Sequence, residues 1–308
     1  MDIHKCSHFL RAIVLRAEQR LERAQRRTPL SELWHRVKDA APVRSFSQAI
    51  ASEFGLIAEI KVKSPSAGDM IKSNVTLAPK AYTDSPIVKA ISVLTNVDDF
   101  GMGIDRLRRI RKQTSKPLLR KDFLFSEYHV VEARANGADA ILLMANILSA
   151  NELAELGDLA AHLGMEVLFE SHQASEVEKI PHWAQIYGIN CRKLDSSNPF
   201  HRYCGSRLLR RIGLFRDLSI QNQPLALINR LPPHAIKVAE SGMTPDTIAN
   251  VKKLGYNSAL VGNSLLLASM GVVGMLQQFE RALETRRFEC DESSDSRLAL
   301  RSAMLRAH

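Results

Sequence analysis

The sequence predicts an α/β protein built as a single (β/α)8 TIM barrel, and three observations carry this prediction. Short runs of β-branched and apolar residues alternate with amphipathic helical patterns, and eight such runs follow one another from Leu56 onward. The chain has 308 residues, 45% of them hydrophobic, which suffices for one large core. Most of the runs end in polar residues, although strands of a parallel barrel are otherwise buried. Polar groups are expected there because barrels carry function at the carboxyl ends of their strands.

Residues 1–55 are expected to form a helical extension that packs on the barrel. From Leu10 to Ala24 the apolar residues recur at three- and four-residue steps with charges between them, which predicts an amphipathic helix. The stretch from Arg26 to Ala51 contains prolines and short apolar clusters. We therefore expect a connection there, with room for one further short helix.

The barrel is predicted over residues 56–284. Alternating strands and helices favour parallel pairing with right-handed crossovers, and eight such units can close into a barrel. The predicted strands are Leu56–Lys61, Ala90–Thr95, Pro117–Lys121, Ala140–Met144, Glu166–Glu170, Ile186–Asn190, Lys237–Glu240 and Ser258–Val261. The predicted helices are Ile104–Gln113, Glu127–Asn136, Asn151–Leu163, Pro245–Leu254 and Ser264–Leu283.

Two segments do not fit the repeating unit. Residues 193–236 are longer than one loop and helix require, and they contain a basic helical stretch, Ser206–Leu218. We expect an insertion after the sixth strand, packed against the barrel or covering its mouth. The tail, residues 285–308, joins an acidic patch to an apolar and basic pattern. A terminal helix, a partner contact and disorder remain open for it.

Composition narrows the classes of partner. Lys and Arg number 42 against 33 Asp and Glu, a net charge of +9 that suits an anionic ligand or, less specifically, nucleic acid. Arginines at helical spacing are typical of solvated helix faces, so RNA binding is the less favoured interpretation. The four cysteines form no CxxC pair, so no metal or disulfide framework is expected. No apolar run reaches the ~18 residues of a membrane span and no signal peptide is apparent, which predicts a cytoplasmic protein.

The first predicted strand carries an acid and a base. Glu59 and Lys61 lie two residues apart and project to the same side, and Ser66 follows in the next loop. The alternative is a purely structural salt bridge inside the barrel.

Other strand ends repeat this pattern. The third ends in Lys121, the fifth in Glu170 and the sixth in Asn190, with Arg192 just beyond. Burying so many polar groups is costly unless they are paired or used. After the seventh and eighth strands come the segments Glu240-Ser241-Gly242 and Gly262-Asn263. Many barrels bind phosphate at these two places, and turn glycines without a ligand are the alternative.

Six segments taken together resemble the indole-3-glycerol-phosphate synthase family, in its order, from about Leu56 to Leu283. They are residues 58–61 with 64–66 (AEIK, SPS), 91–95 (ISVLT), 119–123 (LRKDF), 137–143 (GADAILL), 188–192 (GINCR) and 238–242 (VAESG).

The resemblance implies a decarboxylating and dehydrating ring closure of 1-(2-carboxyphenylamino)-1-deoxyribulose 5-phosphate in tryptophan biosynthesis, with no metal or organic cofactor. Lys121 matches the general acid and Glu170 the general base of the dehydration. Lys61 matches a lysine that contacts the substrate carboxylate, and Glu59 a carboxylate that orients Lys121. Because the two lysines are expected to lie close together and partly desolvated, we expect lowered pKa values for them.

The resemblance also implies a set of binding residues. Asn190 and Arg192 match positions that hold the anthranilate carboxylate and the sugar hydroxyls, and arginine can do so with a two-pronged hydrogen bond. Phe100 would form an apolar wall for the aromatic ring, or else belong to the core. The contacts to the sugar and the phosphate would come from Glu240, Ser241, Ser66, Gly242, Gly262 and Asn263.

The sequence departs from the family at three places. Ser126 stands where an acidic residue is common, Lys193 stands where an aspartate is common, and residues 99–103 (DFGMG) lack the usual Gly-Gly-Ser. These departures bear on substrate identity, affinity and loop motion. Cys191 adjoins the site but should point away from the substrate, and His172 is expected to be a loop residue.

Three other functions remain open. A phosphoribosylanthranilate isomerase would rely on a cysteine and an aspartate, which the paired lysines argue against. A divergent synthase could act on a modified anthranilate-sugar phosphate. A non-catalytic binding module would explain the basic insertion, but not the retention of four acid–base residues. The expected partners are a small phosphorylated substrate and other enzymes of the tryptophan pathway.

Overall fold

Eight parallel strands close into a barrel in a computed structural model of the protein, which describes residues 8–192 and 223–284. The predicted (β/α)8 fold is therefore confirmed. Around the barrel the strands run in the order β1, β10, β9, β8, β7, β6, β5, β4. Their bounds are β1 Gly55–Ile60, β4 Val88–Leu94, β5 Leu118–Lys121, β6 Ala140–Met144, β7 Glu166–Ser171, β8 Ile186–Asn190, β9 Ile236–Glu240 and β10 Ser258–Val261. A small antiparallel hairpin, β2 Lys63–Ser64 with β3 Gly68–Asp69, follows β1.

The barrel strands agree closely with their predicted ranges. Three of them, β6, β8 and β10, have the predicted bounds, and no other strand end differs by more than two residues. The agreement has a physical reason: β1, β6, β8 and β10 are buried at every position, so each reads as a continuous apolar run between polar turns.

Three helices precede the barrel and a layer of helices surrounds it. The first three are α1 His8–Arg27, α2 Leu30–Lys38 and α3 Phe46–Ala51. Those after β1 are α4 Lys72–Asp84, α5 Val97–Phe100, α6 Ile104–Arg111, α7 Glu127–Ala135, α8 Ala150–His162, α9 Ala174–Val177, a 3-10 helix Gln223–Arg230, α10 Pro245–Lys253, α11 Asn263–Leu266 and α12 over residues 271–284. No helix among these residues is long and apolar enough to cross a membrane.

Two helical regions differ from prediction. Helix α4 was not predicted, because Pro79 interrupts it and its buried stripe contains the polar Asn74. The single helix predicted over Ser264–Leu283 is wrong, since the chain breaks into α11 and α12 and Gly271 adopts φ +85°. The Asn74 amide stabilises the break: it donates to Leu266 and Ala268 carbonyls at 3.2 and 2.9 Å and accepts from the Val272 N–H at 3.1 Å.

Helix α1 lies against the loops at the carboxyl ends of β4 and β5. Arg16 pairs with Asp99 at 2.7 Å, and Arg20 reaches Asp98 and Asp122, both at 3.3 Å. Below this contact α2 packs on α7 through an apolar cluster that contains Leu33, Tyr128 and Val131. The extension is thus attached to the end of the barrel where the polar strand ends meet.

The predicted basic stretch Ser206–Leu218 and the tail, residues 285–308, lie outside the described residues.

Candidate active site

The carboxyl ends of β1, β5, β7 and β9 bring together two lysines and three glutamates. Lys121 ends β5, and its Nζ lies 3.0 Å from Glu170 Oε2 on β7 and 3.3 Å from Glu240 Oε2 on β9. Beside them Lys61 and Glu59 form a second, buried ion pair. The four predicted acid–base residues therefore share one end of the barrel with Glu240.

Glycines make room for these carboxylates. A Cβ on Gly188 would overlap the Glu240 carboxylate, and a Cβ on Gly262 would overlap that of Glu59 and lie 3.1 Å from Lys61 Nζ. Gly262 therefore contacts the Glu59–Lys61 pair directly. Both positions require glycine for the close approach of a charged side chain rather than for a left-handed backbone.

The two glutamates beside Lys121 differ in their ionisation. Burial raises the pKa of Glu170, but the charge and hydrogen bond of Lys121, with His172 and Asn190, lower it to about 2. Burial and the neighbouring charge of Glu170 raise the pKa of Glu240 to about 8, although Lys121 opposes this. At neutral pH the arrangement favours an ionised Glu170 and a protonated Glu240, as expected when two carboxyl groups share one cation.

The pKa prediction for the lysines is wrong for Lys121. Burial does lower its pKa, as expected, but the carboxylates of Glu170, Glu240 and Glu59 raise it by more, so its net pKa lies above the ordinary value. The prediction failed because carboxylates from three other strands surround Lys121 once the barrel closes. Lys121 is thus held as an ammonium group, the form that a general acid needs.

Arg192 connects two loops across the mouth of the barrel. Its guanidinium donates a hydrogen bond to Ser66 Oγ, in the loop after Lys61, while its backbone N–H donates to Asn190 Oδ1 at 3.0 Å. The predicted binding residues Ser66, Asn190 and Arg192 therefore lie together, with Asn190 buried at the end of β8.

The loops after β9 and β10 are joined and locally strained. Ser241 and Gly242 adopt φ 68° and 75°, and Ser241 is the one non-glycine residue with positive φ in the described part of the chain. Such a conformation costs about 1–3 kcal/mol and is usually kept for a ligand. Ser264 Oγ donates to the Met243 carbonyl at 2.6 Å, and the neighbouring Asn263 Oδ1 is buried without a hydrogen-bond partner among the described residues. The loops after β9 and β10 therefore bring a strained turn and an unpartnered amide oxygen to the same end of the barrel.

Phe100 and the departures from the family also have definite places. Phe100 is half-buried, packs against the main core and accepts a hydrogen bond from Val62 N–H at 3.1 Å through its carbonyl. Its loop is fixed by Asn96, which caps α5, and by the Arg16–Asp99 pair. Ser126 caps α7, a role that serine and aspartate perform about equally well. Lys193 lies outside the described residues.

Two residues near the site complete its description. Cys191 is 1% exposed, and burial and the charge of Glu240 raise its pKa to about 12, which makes it a poor nucleophile. His172, which was expected to be a loop residue, follows β7 and approaches Glu170 Oε1 at 3.6 Å. The sequence places His172 two residues after Glu170 and four before Glu176, but this spacing does not show toward which of the two carboxylates the imidazole ring points.

The fold and the site place the chain in the (β/α)8 barrel class, with an ammonium group and a carboxylate in contact at the carboxyl ends of the strands. A family model described as indole-3-glycerol phosphate synthase matches residues 10–198. The chain belongs to the indole-3-glycerol phosphate synthase family, which consists of lyases of tryptophan biosynthesis.

Individual relatives agree with this assignment. The chain is 35% identical over 264 residues to the indole-3-glycerol phosphate synthase of Paenarthrobacter aurescens, which covers 82% of this chain and 89% of the relative. The indole-3-glycerol phosphate synthase of Roseiflexus castenholzii is 35% identical over 270 residues, which cover 84% of this chain and 94% of the relative. That of Campylobacter curvus is 37% identical over 227 residues, which cover 72% of this chain and 78% of the relative.

Solved structures of other proteins resemble the chain in fold alone. 3-Hexulose-6-phosphate synthase from Salmonella typhimurium has a TM-score of 0.51 at 11% identity, with 75% of this chain and 98% of that chain covered. Thiamine phosphate pyrophosphorylase from Pyrococcus furiosus has a TM-score of 0.51 at 13% identity, with 78% of this chain and 98% of that chain covered.

Proposed function

We propose that this site closes the indole ring of 1-(2-carboxyphenylamino)-1-deoxyribulose 5-phosphate, as a carbon–carbon carboxy-lyase, with Lys121 as general acid and Glu170 as general base. The observation that carries the proposal is the contact of Lys121 Nζ with Glu170 at 3.0 Å and Glu240 at 3.3 Å, at the carboxyl ends of three different strands. Family membership supplies the reaction, and this contact supplies the groups that the reaction needs.

Lys121 acts first. Its ammonium group donates a proton to the sugar carbonyl oxygen as the aromatic carbon that bears the carboxylate attacks the carbonyl carbon, and a carbon–carbon bond forms. The bond from the ring to the carboxylate then breaks, and its electron pair restores the aromatic ring as carbon dioxide leaves. Because the carbonyl oxygen gains negative charge in the transition state, an ammonium group beside it stabilises that state more than the ground state.

Glu170 acts in the dehydration. Lys121 regains a proton that comes from solvent and donates it to the new hydroxyl group, which leaves as water. Glu170 accepts the proton that is lost as the indole double bond forms and returns it to Lys121, so each turnover consumes one solvent proton. The lowered pKa of Glu170, caused by Lys121 against the opposing effect of burial, keeps it ionised and ready to accept that proton. Glu240, with its raised pKa, is a hydrogen-bond donor for the sugar hydroxyls at neutral pH.

The remaining predicted residues bind the two ends of the substrate. In this proposal Arg192, Asn190 and Lys61 bind the anthranilate carboxylate, which the arginine can hold with two parallel hydrogen bonds. The sugar and the phosphate contact Ser66, Ser241, Gly242, Gly262 and Asn263. The half-buried Phe100 contacts the aromatic ring. The isomerase alternative finds no support here, because Cys191 is buried with a raised pKa.

The test is to incubate the purified protein with the carboxyphenylamino-deoxyribulose phosphate and to follow indole fluorescence. We expect turnover by the wild type, and a loss of about 100- to 10,000-fold in kcat for Lys121→Ala because it removes the proton donor. Lys80→Ala is a matched control, since Lys80 is exposed and pairs with Asp84 on its own helix. Turnover by Lys121→Ala at the wild-type rate would refute the assignment of the acid.

A further inference from the structure

The two oxygens of the Glu170 carboxylate have different surroundings. Oε2 accepts a hydrogen bond from Lys121 Nζ at 3.0 Å, whereas Oε1 is buried and has no hydrogen-bond partner among the described residues. The imidazole of His172 approaches Oε1, with its Nε2 3.6 Å away. A buried carboxylate oxygen without a partner costs free energy, so its retention calls for a use.

Glu176 lies on the other side of the His172 imidazole ring. His172 Nδ1 lies 3.4 Å from Glu176 Oε2, and neither ring nitrogen has a hydrogen-bond partner in the part of the chain that the structure describes. The Glu176 carboxylate is itself fixed, since it accepts from the His172 backbone N–H at 2.7 Å and from Gln173 Nε2 at 3.0 Å. Because Nδ1 is the ring nitrogen nearer Glu176 and Nε2 the one nearer Glu170, Nε2 is the nitrogen that can exchange a proton with Glu170.

The proposed reaction needs a proton from outside. The substrate carboxylate leaves as neutral carbon dioxide and the hydroxyl group leaves as water, so each turnover consumes one proton from solvent. The groups that exchange protons with the substrate are poorly placed to collect it. Glu170 is 1% exposed, and Lys121, which is as exposed as His172 at 14%, is the group that the substrate covers in the proposed reaction.

We propose that His172 resupplies the Lys121–Glu170 pair with this proton. This inference rests on the proposed function. The Nε2–H bond of the imidazolium breaks as an O–H bond forms at Glu170 Oε1, and the carboxyl group then passes a proton to the neutral amine of Lys121, whose ammonium group is restored. The imidazole, 14% exposed, regains a proton from water. Over the cycle one solvent proton enters, and it offsets the one consumed.

The charged groups around the ring suit this role. Glu170 faces it from β7 and Glu176 from α9, so the imidazolium form lies between two carboxylates. Beyond Glu170, Lys121 and Glu240 complete the cluster. His172 is a positioning and proton-supply residue in this scheme, because it acts on the substrate only through Glu170.

Two substitutions of His172 separate proton supply from a purely structural role. The amide of His172→Gln can still donate a hydrogen bond to Glu170 but cannot carry a proton. We expect kcat to fall about 10-fold or more in both His172→Gln and His172→Ala, with KM nearly unchanged. Added imidazole should restore much of the rate of His172→Ala and none of the rate of His172→Gln. His162→Gln, at an exposed histidine of α8, serves as the control and should keep the wild-type rate.

Wild-type kcat in His172→Gln, or no effect of imidazole on a slow His172→Ala, would overturn the inference. Failure of the proposed function gives a different result, since the wild type itself would then produce no indole fluorescence.

Discussion

Two buried carboxylates at opposite ends of the barrel show how differently this fold treats structure and chemistry. Asp139, just before β6, is 0% exposed and accepts from Arg44 N–H at 2.7 Å, Leu118 N–H at 2.8 Å and Arg111 Nη1 at 2.7 and 2.6 Å. Glu240, at the end of β9, is 1% exposed, yet neither oxygen has a hydrogen-bond partner among the described residues, and its nearest cation is Lys121 at 3.3 Å.

The difference shows at which end of the barrel a buried carboxyl group lies in an unfavourable environment. At the amino end of the barrel a satisfied carboxylate attaches the segment before α3 to the strands, because Arg111 also donates to the Pro42 carbonyl at 2.6 Å. At the carboxyl end burial and the charge of Glu170 disfavour the ionised form of Glu240, so the pKa of Glu240 rises although Lys121 is nearby. Violations of local satisfaction are expected where a ligand supplies the missing contacts.

The largest expected effect is at the structural end. Asp139→Ala leaves the half-buried Arg111 without its carboxylate partner and two buried backbone N–H groups unpaired, so we expect the free energy of unfolding to fall by about 3–5 kcal/mol. Turnover per folded molecule should stay close to that of the wild type, because the site lies at the other end of the barrel. Urea denaturation and indole fluorescence measure the two quantities.

The control is Asp105→Ala, since Asp105 is exposed and pairs with Arg109 four residues on. This substitution should change stability by no more than about 0.5 kcal/mol. A large fall in kcat for folded Asp139→Ala would show that the two ends are not independent.

A smaller effect, with a defined dependence on pH, is expected at Glu240. Its pKa is raised from about 4.3 in the unfolded chain to about 8 in the fold, so between these values the unfolded state loses its proton first. Stability from this group is complete below the unfolded pKa and is lost as pH rises through the folded one, by up to about 1.4 kcal/mol per pH unit.

Glu240→Gln removes this titration. We therefore expect the wild type to lose stability relative to Glu240→Gln as pH rises from 5 to 8, and the difference to be level above that range. Urea denaturation of both proteins across the range measures it. A difference that does not vary with pH would mean that Glu240 is ionised throughout and that the contrast with Asp139 is wrong.

The same contrast explains what could be predicted from the sequence. The strands were predictable because their buried apolar runs are local signals. The clustering of Lys61, Lys121 and Glu170 was predictable because these residues end parallel strands or directly follow them. The raised pKa of Lys121 could not be predicted, because it depends on Glu170 and Glu240, which come close to Lys121 only when the barrel closes. The orientation of His172 toward Glu170 is a tertiary property of the same kind. Helix α4 was not predicted because its buried Asn74 is stabilised by hydrogen bonds to residues almost two hundred positions away in the sequence.

The central claim is that Lys121 and Glu170 work as one unit, and a kinetic double-mutant cycle tests it most directly. kcat would be measured for Lys121→Ala, Glu170→Gln and the double variant with the carboxyphenylamino-deoxyribulose phosphate. If the residues act as a unit, the double variant should be about as slow as the slower single variant. If instead the two losses multiply, the lysine and the glutamate act independently and the account is contradicted.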